Sequence, residues 1–69
     1  MLTAGELVRT YSARELLECA EREVRLRRKV YATRVLTHRM SQRQADVEIA
    51  RMAAIAAWLR AEAERERLL

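Results

Sequence analysis

Two short stretches of the chain share one pattern, and that pattern limits the fold more than any other feature does. The stretches "YSAREL" (11–16) and "MSQRQA" (40–45) both read apolar residue, Ser, any residue, Arg, Glu or Gln, apolar residue. A Ser before a helix and a Glu or Gln three residues later form a capping box, in which each side chain bonds to the backbone N–H of the other residue. The repeated pattern therefore predicts two helix starts, at Ser12 and Ser41, with a break between them.

The residues that follow each box favour long helices. The chain has no Pro and one Gly, and it is rich in the strong helix formers Ala, Leu, Arg and Glu. We expect helix 1 over 12–38 and helix 2 over 41–67, each about 40 Å long at 1.5 Å per residue. The short connection makes the two helices antiparallel. The predicted fold is an all-α, single-domain two-helix hairpin over 1–69, with 1–11 as an N-terminal arm or short helix.

Apolar residues recur at three- and four-residue steps on one face of each predicted helix, and these two seams should pair in the core. The sequence predicts Cys19, which lies beside the first seam, to be a reduced and partly buried filler. The seam residues are Ala13, Leu17, Ala20, Val24, Tyr31 and Val35 on helix 1, and Ile49, Met52, Ala56, Leu59 and Ala63 on helix 2.

A second group of apolar residues lies outside these seams, where a hairpin cannot bury it. Soluble monomers seldom expose a contiguous apolar patch, and a chain of 69 residues has little core to stabilise it without a partner. We therefore predict a homodimer that forms a four-helix bundle; a surface on another protein is the alternative, and both can hold together. The predicted apolar interface consists of Val47, Ala54, Trp58, Leu26 and Val30, with Trp58 as an aromatic anchor.

Cations are concentrated in the second half of helix 1. Seven Lys/Arg lie between Arg22 and Arg39 against one acid, Glu23, and such an uneven surface favours an acidic partner. The alternative is a solvated helix face, neutralised in part by ordinary i,i+4 pairs such as Glu18 with Arg22 and Glu21 with Arg25. The predicted partner-binding residues are Arg22, Arg25, Arg28, Lys29 and Arg39.

Several function classes find no support in the sequence. One Cys and one His provide neither a disulfide framework nor a closed zinc site within one chain, so we expect no metal and no cofactor. His38 stands alone beside the predicted turn, where a structural role against free carbonyls is favoured. No nucleophile–base set or phosphate loop occurs, which predicts a non-enzymatic protein. No apolar run approaches 18 residues and no signal-peptide pattern occurs, so we expect no membrane span. The lack of disulfide chemistry favours a cytoplasmic setting.

Nucleic-acid binding is a weaker alternative. The fragment "SQRQA" is similar to the opening of a helix-turn-helix unit, which needs a second short helix after a turn. Here the helical pattern continues through "EIARMAAIAAWLRAEAE" without that turn. Aromatic platforms for stacking bases are also lacking. Non-specific contact with phosphates stays open, whereas sequence-specific reading is not expected.

Residues 11–60 resemble a group of small proteins encoded by phages and prophages of proteobacteria. The resemblance rests on "RRKVY" and on "MSQRQADVEIARMAAIAAWL"; the group similarly has Met, Ser or Thr, Gln, then Ala-Asp, an acid, Ile-Ala, Met and Ala-Ile-Ala. It transfers no functional residues, and "MLTAGELVRT" lies outside it. It implies a setting in which small phage proteins bind and block a host regulator, polymerase or defence complex. We therefore predict a phage-encoded inhibitor or adaptor of a host protein, with a nucleic-acid accessory protein or a structural assembly subunit as alternatives.

Overall fold

Three α-helices and no strand make up the computed structural model, which describes all residues 1–69. They are α1 (Ala4–Thr10), α2 (Ala13–Leu36) and α3 (Gln42–Leu68). The predicted all-α class is confirmed. The count differs from the two helices of the predicted hairpin, because the N-terminal segment contains a short helix of its own. Its cap is Thr3, whose hydroxyl accepts a hydrogen bond from the N–H of Glu6 at 3.2 Å.

Serine caps begin the two long helices at the predicted positions. The Ser12 hydroxyl accepts from the N–H of Glu15 at 3.1 Å, and the Ser41 hydroxyl accepts from the N–H of Gln44 at 3.0 Å. Only Ser41 completes the box, since its own N–H donates to the Gln44 side chain at 3.1 Å. Both predicted helix starts are confirmed.

The end of α2 is closed by a backbone motif centred on His38. This residue has φ of 60°, the one positive value in the chain. Its N–H donates to the carbonyl of Val35 at 3.1 Å, and the N–H of Arg39 donates to the carbonyl of Arg34 at 2.8 Å. This pair of bonds is a Schellman motif, in which Gly usually takes the left-handed position. His38 therefore satisfies a free carbonyl through its backbone N–H, whereas its imidazole makes no hydrogen bond within the chain.

The helices α2 and α3 pack against each other in antiparallel fashion, whereas α1 packs against neither. Two contacts fix the direction. The N–H of Ala13, at the start of α2, donates to the carboxylate of Glu66 near the end of α3 at 3.0 and 3.3 Å. Toward the turn, the Arg27 guanidinium donates to the backbone carbonyl of Glu48 at 2.9 Å.

The core between α2 and α3 is small, and the predicted seams line it. Every seam residue is buried or half-buried. Cys19 is exposed, so its predicted partial burial is wrong; it lies about 120° round α2 from Ala13, at 100° per residue, and outside the seam. The fully buried residues are Ala13, Ala20, Val24, Ala45, Ala56 and Leu59.

A single layer of two helices leaves much of the chain uncovered. The radius of gyration is 14.9 Å, against roughly 11 Å for a compact domain of this length. The accessible surface is 5814 Å², against roughly 4500 Å² for a typical monomer of this mass. The α2–α3 pair is thus a flat rod with two broad open faces.

Candidate partner-binding surfaces

One broad face of the rod carries the predicted basic residues. Arg22, Arg25, Arg28 and Lys29 are exposed on α2 and form the surface that we call the basic face. At 100° per residue they spread from the edge of the α2–α3 contact to the outer crest of α2. Arg39 is also exposed, but it lies in the turn beyond α2. The structure therefore brings four of the five predicted residues onto one helix and leaves the fifth apart.

The carboxylates predicted to neutralise this face have other partners. Glu18 pairs with Arg14 at 3.7 Å, and Glu21 forms an ion pair across the helices with Arg60. The predicted pairs of Glu18 with Arg22 and of Glu21 with Arg25 are therefore wrong. None of the four basic-face residues takes part in any ion pair within the chain; the ion-paired cations are Arg14, Arg27, Arg51, Arg60, Arg65 and Arg67.

Unpaired cations gather in the half of the rod that contains the turn. We call residues 22–57 the turn half, and residues 1–21 with 58–69 the open half. The turn half has nine Lys/Arg and three Asp/Glu, a net charge of +6, whereas the open half has five and seven, a net charge of −2. Seven of the nine cations of the turn half lack an ion-pair partner: Arg22, Arg25, Arg28, Lys29, Arg34, Arg39 and Arg43.

A shallow groove with an apolar floor runs beside the basic face. Arg25 and Arg28 line a cavity of about 330 Å³ together with Ala53 and Ala57 of α3. Arg28 also lines the next cavity toward the turn, about 320 Å³, with Leu36. The two cavities are neighbours that share Arg28 as a lining residue, and we call them together the basic groove. Its cations face solvent while its floor is made of small apolar side chains, so it presents charge and apolar surface side by side.

The largest cavity, about 550 Å³, lies at the open end between α2 and α3. Its charged residues are already satisfied within the chain. Arg60 pairs with Glu21, and Glu66 accepts from the N–H of Ala13. This cavity therefore offers a ligand little free charge, in contrast to the basic groove.

The opposite broad face of the rod has exposed apolar side chains beside an ion-paired group formed by Glu23, Arg27, Glu48 and Arg51. Trp58 is 63% exposed, Leu26 is 52% exposed and Ile55 is 49% exposed, and with Cys19 and Val30 they form the surface that we call the apolar face. Four of the predicted interface residues, Val47, Ala54, Trp58 and Leu26, are exposed, whereas Val30 is half-buried.

Sequence reasoning missed Ile55 because it belongs to neither of the apolar repeats read on α3. Its spacing of three residues from Trp58, about 60° round the helix, was the signal that could have placed both on one surface. Of the two residues, Ile55 lies nearer to the contact between α3 and α2.

The basic groove and Ile55 lie on opposite sides of the rod. Leu26 lies about 160° round α2 from Arg28, and Ile55 lies about 160° round α3 from Ala53, at 100° per residue. Since Arg28 and Ala53 line the basic groove, a flat partner surface on the groove does not reach Ile55. The basic face itself extends to the border of the apolar face, because Arg22, on the outer crest of α2, lies only about 40° from Leu26.

Arg27 secures the rim of the apolar face and is not free for a partner. Its Nε donates to Glu23 at 3.0 Å, and its Nη1 lies 3.9 Å from the carboxylate of Glu48 while donating to that residue's carbonyl. The hydrogen bond with Glu23, more than any other contact, raises the pKa of Arg27. This guanidinium therefore remains charged and links α2 to α3.

Neither a metal site nor a membrane-spanning helix occurs in the structure. No group of three or more His, Cys, Asp or Glu side chains is arranged to hold a metal ion. None of the helices combines the length and the apolar character needed to cross a membrane. Comparison with protein-family models, with curated proteins and with solved structures found no match for this chain.

Proposed function

We propose that this protein is a small non-enzymatic binding module that attaches to an acidic surface of another protein through its basic face. The observation that carries the proposal is the absence of any ion-pair partner for Arg22, Arg25, Arg28 and Lys29 in a chain that has ten carboxylates. Cations left free on one surface raise the rate of association with an acidic partner and select against basic ones.

The basic groove restricts the shape of the partner as well as its charge. Arginine guanidinium groups bind carboxylates in a bidentate manner, and Arg25 and Arg28 stand beside the small side chains of Ala53 and Ala57. A partner segment with acidic residues along one edge and apolar residues beside them would contact both the arginines and the alanines of the groove. An acidic amphipathic helix has this character, so it is the partner element that we propose for the groove.

The finer architecture is part of the same proposal. We propose that α2 and α3 act as a helical hairpin and that two copies pair into a four-helix bundle. Support comes from the exposure of Trp58 and Leu26 and from an accessible surface of 5814 Å², which exceeds by roughly 1300 Å² that of a typical monomer of this mass.

The biological setting proposed here rests on the resemblance of residues 11–60 to small phage and prophage proteins. In that setting the protein is an inhibitor or adaptor that acts in the cytoplasm of the bacterial host. Its target is a regulator, a polymerase or a defence complex with an acidic surface. The basic face makes the charged contact in this arrangement.

Non-specific contact with nucleic-acid phosphates is the second candidate, favoured by the net charge of +6 on the turn half. Phosphate binding needs only clustered cations, so it would leave the apolar floor of the basic groove unused. Trp58, which could stack on a base, lies on the opposite face. A structural assembly subunit is the third candidate, and it would use the apolar face.

A capture experiment from bacterial host lysate tests the proposal. We expect the wild-type chain to retain a specific acidic protein and the Arg25→Glu/Arg28→Glu variant to lose it. The matched control is Arg9→Glu/Arg14→Glu, which makes the same change in net charge outside the basic face and should retain the partner. Retention by the Arg25→Glu/Arg28→Glu variant would show that the basic face is solvated surface only.

A duplex DNA titration at two salt concentrations separates the second candidate. Phosphate binding loses affinity steeply as salt rises. Tight binding of duplex at low salt, weakened more by Arg25→Glu/Arg28→Glu than by Arg9→Glu/Arg14→Glu, would favour nucleic acid. Absence of duplex binding at low salt would exclude it.

A further inference from the structure

The apolar face sits at the middle of the rod. Helix α3 runs from Gln42 to Leu68, and Ile55 is its central residue. Leu26 lies within two residues of the centre of α2, which runs from Ala13 to Leu36. A two-fold axis through this centre can relate the rod to an identical second rod. The second rod then covers the exposed apolar surface and extends along the full length of the first.

The charges of the two halves favour one direction for such a second rod. The turn half has a net charge of +6 and the open half a net charge of −2. Side by side in the same direction, two rods would place the two +6 halves together. If the two rods run in opposite directions, the positive turn half of each copy lies beside the negative open half of the other. The two copies then attract each other, whereas two adjacent turn halves would repel each other.

The area is also adequate. A standard stable interface buries about 800 Å² on each partner. The chain exposes roughly 1300 Å² more than a typical monomer of its mass, part of it on the separate helix α1. Helix α3 has 27 residues and is therefore about 40 Å long, and two helices side by side are about 20 Å wide. One broad face of the rod thus covers about 800 Å² and can supply a standard interface.

From these three observations we infer that a second copy of this chain covers the apolar face, with the two rods antiparallel about a two-fold axis through Ile55. The interface is isologous, so each residue meets the same patch on the other copy. Ile55 lies at the axis, and Trp58 and Leu26 of each copy pack on either side of it.

This arrangement has a consequence for the proposed function, on which this step rests. Because the basic groove is on the face opposite Ile55, dimerisation turns both grooves outward, in opposite directions. The dimer then binds two acidic elements at once. A bridging module of this kind can link two copies of a target, and the apolar face is not part of the target contact.

Sedimentation of the full chain tests the dimer. We expect the wild-type chain to sediment as a dimer at tens of micromolar, and the Ile55→Glu variant to sediment as a monomer with unchanged helicity by circular dichroism. The matched control is Leu36→Glu, which places the same charge at a side chain that is 79% exposed but outside the apolar face; it should remain a dimer. A wild-type monomer, or a dimer that survives Ile55→Glu, would overturn the inference.

A distance between spin labels tests the direction. With the Cys19→Ser change, a label attached after Arg43→Cys lies 12 residues from Ile55, or about 18 Å along α3 at 1.5 Å per residue. The antiparallel dimer predicts about 36 Å along the rod between the two labels, whereas parallel rods bring the labels to the same end, within about 20 Å. A distance at the shorter value would contradict the antiparallel arrangement.

Stoichiometry tests the outward grooves, with a synthetic amphipathic peptide that carries Glu on one face and Leu on the other as the probe. We expect two peptides per wild-type dimer and one peptide per Ile55→Glu monomer, with similar affinity. One peptide per dimer would overturn the outward arrangement. A dimer that binds no peptide would count against the proposed function and leave the dimer interface standing.

Discussion

The turn half and the open half of the rod are built from the same two helices, yet they treat their charges differently. In the open half nearly every cation has a carboxylate: Arg14 with Glu18, Arg60 with Glu21, Arg65 with Glu62 and Arg67 with Glu64. In the turn half seven cations have none. Most cations of the open half are thus neutralised by a neighbouring carboxylate, one of them across the helices, whereas most cations of the turn half are not.

The two halves differ at their ends as well. At the open end, the Glu66 carboxylate accepts the N–H of Ala13 and so joins the end of α3 to the start of α2. At the turn, closure depends on the backbone of His38 in a conformation that suits Gly better. The two ends of the rod are thus closed by different means, a side-chain contact between helices at one and a backbone motif at the other.

Removing a buried side chain near the open end should have the largest effect. Leu59 belongs to the core cluster of four buried residues, and Leu→Ala in a core costs about 2–5 kcal/mol. We expect Leu59→Ala to lower the free energy of unfolding by about 2–3 kcal/mol, the low end of that range, because neighbouring alanines leave room for the site to relax.

Urea denaturation followed by circular dichroism measures this loss. The control in the turn half is Leu36→Ala, where the side chain is largely exposed and a change within about 0.5 kcal/mol is expected. Equal losses at the two positions would contradict the location of the core.

Replacing one arginine in each half tests whether only the unpaired cations of the turn half contribute to binding an acidic partner. We expect Arg25→Gln to weaken binding of the acidic peptide about tenfold, since a hydrogen bond to a charged group contributes about 1.5–3 kcal/mol. Arg65→Gln in the open half should leave the affinity unchanged, because Arg65 is engaged by Glu62 and does not line the basic groove. Isothermal titration calorimetry at two salt concentrations measures both, and a larger loss for Arg65→Gln would reverse the assignment of the two halves.

A substitution at His38 in the turn should stabilise the protein, in contrast to the substitutions above. His38 has φ of 60°, a conformation that costs a non-glycine residue about 1–2 kcal/mol. We expect His38→Gly to raise the free energy of unfolding by about 1 kcal/mol, partly offset by the greater chain entropy of Gly in the unfolded state. Thermal denaturation reports the sign directly, and a lower melting temperature would show that the His38 side chain makes a stabilising contact.

Deleting residues 1–10 should have the smallest effect. Helix α1 packs against neither of the other helices, and a helix of 7 residues is marginal on its own. The cap at Ser12 remains, so we expect the free energy of unfolding to change by less than about 0.5 kcal/mol. A larger loss in urea denaturation would mean that α1 stabilises the rod through the second copy.

Much of the fold could be predicted because its signals are local. A capping box spans four residues, and Ser12 and Ser41 could be recognised from their neighbours alone. The core seams followed from the helical period, which also placed Trp58 and Leu26 outside them. The basic face was predicted in the same way, apart from Arg39, which the end of α2 at Leu36 places in the turn.

Ion pairing could not be predicted from spacing. Glu21 has Arg25 at the favourable i,i+4 position, yet it pairs across the helices with Arg60. The free energies of exposed ion pairs differ by only fractions of a kcal/mol, so a carboxylate can pair with a cation on the other helix instead of one on its own. Which cation is within reach across the helices depends on the register between α2 and α3.

By itself the sequence determined where each long helix begins, which residues each helix buries and where its cations accumulate, because these properties depend on neighbours within one or two turns. The tertiary structure alone decided which arginines stay unpaired, and that the basic groove and the apolar face lie on opposite sides. Both depend on how far α3 is shifted and rotated against α2. That choice is made by the close packing of small side chains such as Ala20 and Ala56, which no short stretch of sequence encodes.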